Sequence, residues 1–228
     1  MTLISGTILP SGTKRLIHYD KLLTVQLIAS YGMLIGFLLQ GYGTVSISFS
    51  TVSILLSVLF GIALIKDIRQ SGQLKVSGLY FLVAISLNVL SAIGTFVLAY
   101  LMVHKAQDQE SYLASIYFFL HFQYNGWFIF SCLGLFTHLL EESGVRLKRG
   151  RLWFLFFTVT IFPAYLLSIL WMKLSVTLIT VCTAGAIVQL LTWFGFLKAV
   201  YQVRGILRDQ FRKFNLQLLV LAAIAMSI

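Results

Sequence analysis

The chain has 228 residues, of which 59% are hydrophobic and only 11% charged, with a formal net charge of +10. A soluble domain is nearer to ~45–50% apolar and ~25% charged, so this apolar excess cannot all enter one soluble core. The basic residues form short clusters between apolar segments, which excludes a nucleic-acid-binding face and makes the lipid bilayer the immediate partner.

Residues 1–21 read as a cytoplasmic N-terminal lead-in. Met1 to Pro10 is only mildly apolar, and Lys14-Arg15 follows it instead of preceding it, so it is not a cleaved signal peptide. Residues 22–228 read as the transmembrane helical domain. A membrane span needs about 20 residues at ~1.5 Å rise. Apolar segments at 22–43, 45–65, 77–103, 112–140, 152–172 and 174–200 meet that length, and a seventh at 214–228 is still apolar where the sequence ends. The expected fold is therefore all-α: a polytopic transmembrane helical bundle with six complete spans plus a seventh cut off at the C-terminus.

The first span carries Gly32 and Gly36 as a GxxxG, and the second is rich in serine (Ser46, Ser48, Ser50, Ser53, Ser57). Both suit close helix packing; a serine-lined permeation path is the alternative. Pro163 falls inside the fifth span and is expected to kink it. Cys132 and Cys182 lie in apolar runs and suggest no disulfide framework.

Charge sets the expected orientation. Fifteen Lys and Arg residues cluster before the first span, between the second and third, between the fourth and fifth, and after the sixth; Lys105 and Lys173 lie in the other loops. The positive-inside rule then predicts a plasma (inner) membrane protein with its N-terminus in the cytoplasm. Away from their ends, the six spans carry no Asp, Glu, Lys or Arg. Ion-coupled transporters, pumps and voltage sensors place such groups at depth, and an intramembrane metalloprotease needs HExxH, so these classes are not expected.

Polar groups concentrate in the fourth span, in "HFQYNGWF" (His121 to Phe128). At about 100° per residue, Tyr117, His121, Tyr124, Asn125 and Cys132 share an arc of roughly 100°, with Gln123 on the opposite side. A neutral imidazole at that depth is a metal or heme-iron ligand, and Asn125, one turn on, could orient it. Phe118, Phe119, Phe122, Trp127 and Phe128 offer an apolar wall for a macrocycle, and His104 is the nearest partner in depth for a second axial ligand. A hydrogen bond from His121 to a neighbouring helix, or a polar substrate pocket, fits the same residues. Asn88 in the third span and Gln189 in the sixth are further pocket candidates with Tyr117, Tyr124 and Asn125; each also suits a packing hydrogen bond.

Two stretches, "QGYGTVSISFST" (Gln40 to Thr51) and "YFFLHFQYNGWF" (Tyr117 to Phe128), resemble an uncharacterised family of bacterial polytopic membrane proteins. That family is distantly similar to the heme–copper oxidase and nitric-oxide reductase type of membrane protein. The resemblance implies heme or copper in the helical bundle, with His121 as a ligand and other membrane subunits as partners. The sequence departs from the family in lacking its HAHxH stretch, and its four histidines are too few for a heme–copper catalytic centre. The expected function is thus an integral membrane protein binding heme or copper through His121. The alternative is a non-catalytic membrane component or a carrier for a small neutral or apolar solute.

Overall fold

A computed structural model describes residues 19–41, 43–70, 75–104 and 108–205, with the side chains of residues 68–70 left aside. All regular structure among these residues is helical. The elements are α1 (Tyr19–Gln40), α2 (Thr44–Gln70), α3 (Val76–Val103), α4 (Gln109–Leu120), a π-helical segment (His121–Phe128), α5 (Ile129–Glu142), α6 (Gly150–Ser168) and α7 (Val176–Gln202). Five of them, α1, α2, α3, α6 and α7, are each long and apolar enough to cross a membrane. The protein is membrane-embedded on that ground, and its many exposed large apolar side chains are the surface such a medium requires. The expected lead-in, save its last three residues, and the expected span at 214–228 lie outside the described residues.

The fourth apolar segment is one helical rod over residues 109–142, because backbone angles stay helical through both junctions of the π segment. A π turn bonds i to i+5 and is rare; it usually appears as a single wide turn at a functional site. Here it covers the whole of "HFQYNGWF".

Neighbouring helices run antiparallel. α1 and α2 form one hairpin and α6 and α7 another, with α3 and the 109–142 rod packed between them. Without a hydrophobic drive between helices in lipid, association depends on close packing, and glycine supplies it. Gly32 and Gly36 face α2 as the GxxxG pattern predicts: an added methyl would lie 2.5 Å from the Phe49 ring and 3.1 Å from the Ser46 backbone, respectively. Gly61 admits Ile85 of α3 in the same way, and Gly134 admits Phe81. Pro163 lies inside α6 and touches the position where Gly185 of α7 would carry a side chain.

The hairpin turns are built locally. Gly41 ends α1 with φ +62, in the left-handed region that suits glycine. The hydroxyl of Ser46, fully buried, accepts from the Gly43 amide and reaches the carbonyls of Gly41 and Gly43. Asp108 caps α4, accepting from the Ser111 hydroxyl and the Glu110 and Ser111 amides. The Ser111 hydrogen bonds hold its carboxyl below the usual carboxylate range.

Two acidic side chains act between helices. Asp67, near the end of α2, is buried and accepts from the Tyr19 hydroxyl at the start of α1. The first turn of α3 has no cap of its own at Lys75. Glu141, at the end of α5, supplies it by accepting from the Val76 amide at 3.0 Å and from the Ser77 hydroxyl. A carboxylate there also meets the positive end of the α3 dipole. Glu141→Ala is expected to lower stability by ~1–2 kcal/mol, as loss of a helix cap does, with Glu141→Gln intermediate; unfolding of the purified protein in mild detergent reads the difference.

Candidate functional site

His121 sits on the buried side of the π segment, facing α6. Its Nε2 lies 2.9 Å from the Ile161 carbonyl oxygen, and Asn125 Nδ2 lies 3.2 Å from its Nδ1. A carbonyl only accepts, so Nε2 carries the proton; the neutral ring then accepts at Nδ1 from the Asn125 amide. Phe122 meets the ring edge-on with centroids 5.2 Å apart, and Tyr165 lies 5.8 Å away. Both ring nitrogens are therefore engaged, and binding iron or copper would require breaking one of these bonds.

The residues around His121 do not fit a heme or copper site. The five aromatics expected to wall a macrocycle do not share a face. Phe118 and Phe122 pack on Tyr165, Phe119 and Trp127 turn towards α1–α3, and Phe128 is exposed. His104, the expected second ligand, lies at the end of α3 with Nδ1 2.9 Å from the Tyr100 carbonyl oxygen. Among the described residues no three His, Cys, Asp or Glu side chains come together to hold a metal ion.

The polar stripe divides likewise. His121 and Asn125 are brought together, but Asn125 and Tyr124 are exposed on the outside of the bundle, and Tyr117 packs near Trp171 with centroids 6.3 Å apart. Gln189 is partly buried on α7.

The opposite side of the same rod faces a cleft of about 570 Å³ between α1, α2, α3 and α4. It exists because α2 meets α3 closely only towards one end. There Tyr19, Phe60, Ala63 and Leu64 pack with Phe81 and Ile85 in a buried cluster. Towards the other end, where the α1–α2 and α3–α4 connections lie, the hairpin stands off from α3 and leaves the space open.

Of the expected pocket residues, Asn88 lines this cleft; Tyr117, Tyr124, Asn125 and Gln189 do not. Two other amides join it. Gln26 of α1 donates to Ser53 of α2 at 2.6 Å, tying the hairpin together. Gln123 of the π segment reaches Ser91 of α3, with oxygens 2.8 Å apart, and the Ser91 hydroxyl also lies 2.7 Å from the Asn88 carbonyl oxygen. Gln123 is the outlying amide of the sequence pattern, and the rod's two faces do separate it from His121. The signal that could have found it was depth: Asn88 and Gln123 are mid-span amides on two different helices, and Gln26 lies within the first span.

Among the described residues no ionisable side chain lines the cleft; its polar side chains there are serine and threonine hydroxyls, three amides and the Trp127 indole. Ser50, Ser53 and Ser57, on the serine-rich face of α2, are among them. A hydroxyl without a neighbouring base is not an activated nucleophile, so the lining is suited to hydrogen bonding rather than to covalent chemistry. The volume is that of a small-molecule pocket, typically ~300–1,000 Å³.

No family model, curated protein or solved structure matches the chain.

Proposed function

We propose that this protein is a non-catalytic membrane carrier for a small uncharged solute, bound in the cleft between the α1–α2 hairpin and α3–α4. The observation that carries the reading is the chemistry of the lining: polar at mid-depth, yet without one ionisable side chain among the described residues. A charged cargo at that depth needs an opposing charge, whereas a neutral one needs only hydroxyls and amides. The reading rests on six complete spans, the rod over 109–142 being the sixth, with a seventh following. It also takes the protein as an inner-membrane one with a cytoplasmic N-terminus. Lys21, Lys66, Lys75, Arg146, Lys148, Arg149, Arg151, Lys198 and Arg204 support that orientation, since helix alternation assigns them to one end.

Trp127 lines the cleft and reports on its contents. In the purified protein in nanodiscs, glycerol or n-octanol is expected to shift Trp127 fluorescence, and Trp127→Phe to remove the response. Octanoate and octylammonium are expected to bind about 100-fold more weakly than n-octanol, as an uncompensated charge at depth costs ~2.5–3.5 kcal/mol. Tighter binding of either charged probe would sink the neutral-cargo reading.

A further inference from the structure

Resting on that reading, we infer that the cargo is a membrane-dissolved amphiphile with a neutral hydroxyl or amide head, taken in sideways from the bilayer. Two features of the cleft carry this. The first is the set of amides at its inner end. Gln26, Asn88 and Gln123 lie at the mid-span end, with Ser53 and Ser91 bonded to them. Towards the α1–α2 connection the walls are mixed, with Met33, Phe37 and Met102 beside Ser50, Thr51, Thr95 and Ser115. The second is where the cleft opens. Ile47, Val89, Phe96 and Leu120 line it and are at the same time exposed among the described residues, Phe96 to 50%. All four are apolar. Val89 and Phe96 lie seven residues apart on α3, so the side opening runs about 10 Å along the helix, down to the level of Asn88.

An apolar side opening onto lipid admits a molecule already dissolved there. The polar floor then selects the head. In hydrocarbon a hydroxyl or amide lacks partners, and the floor provides them at a depth where lipid has none. A phosphate or carboxylate head finds no cation among the described lining residues.

The test uses the full chain in nanodiscs with a photoactivatable long-chain monoacylglycerol, and the lysophosphatidate of the same chain as the charged control. Labelling is expected on the cleft faces of α2, α3 and α4, well above that by the control. Asn88→Leu with Gln123→Leu is expected to lower labelling about tenfold, the equivalent of one hydrogen bond of ~1.4 kcal/mol. Ala99→Trp, a substitution at a partly buried lining position, is expected to block it and does not disturb the floor. Equal labelling by the control, or labelling unchanged by loss of both amides, overturns the inference. So does crosslinking of a second protein chain into the cleft. If the monoacylglycerol fails while glycerol or n-octanol still shifts Trp127, the sideways amphiphile falls and the neutral carrier stands. If none of the three binds, both fall.

Discussion

Gly94→Ala is expected to destabilise the protein by ~1–3 kcal/mol, and Gly94→Leu to prevent normal assembly of α3 with α4. A methyl on Gly94 would lie 2.6 Å from the Ser115 carbonyl oxygen and 2.9 Å from the Phe119 amide nitrogen. Both are backbone atoms of a neighbouring helix, so no side chain can turn aside to relieve the overlap. The two helices must separate, and Gly94 and Ser115 also line the cleft. Thermal unfolding in detergent reads the loss, and the Trp127 response reads the change in the cleft. Gly205→Ala is the control: among the described residues nothing lies within 4 Å of its added methyl. Stability of Gly94→Ala equal to that control would show that α3 and α4 are not in this close contact.

The second large effect is expected at His121. His121→Leu removes the bond to the Ile161 carbonyl and leaves the Asn125 amide without its ring acceptor, on an exposed face where lipid offers none. An unsatisfied polar group costs ~1–3 kcal/mol, and loss of that order is expected in thermal unfolding. His121→Gln keeps a donor for the carbonyl and is expected to lose less. Leucine and glutamine variants as stable as the parent would show that His121 does not pin the π segment to α6.

Several features were legible in the residues before the fold was known. The span positions follow from the length of apolar runs, and the helices begin and end within five residues of the expected limits, as 22–43 becomes Tyr19–Gln40 and 45–65 becomes Thr44–Gln70. The GxxxG of the first span lands on α2. The imidazole and Asn125 are paired because positions four apart on a helix adjoin. Other features were not legible. Asp67 lies beyond the expected limit of 45–65; α2 continues past it and buries it, and its carboxylate accepts from Tyr19. Glu141 lies just past the expected limit of 112–140, and it caps a helix whose start is sixty-five residues earlier in the chain. Neither role has a local pattern, because each depends on a partner brought near only by helix packing.

The residues alone determine the class of the protein, the limits of its described apolar helices within a few residues, and the absence of charge at their middles. These follow from one-dimensional quantities: run length, charge spacing and the fixed rise of a helix. Which face of each helix meets protein and which meets lipid is decided by tertiary structure. Angular position separates His121 from Gln123 but does not say which of them looks into a cavity. That depends on the α1–α2 hairpin, held at one end by the cluster around Phe60 and Phe81 and standing clear at the other. The fold thereby commits the histidine to packing and turns the outlying glutamine into part of the floor of the cleft.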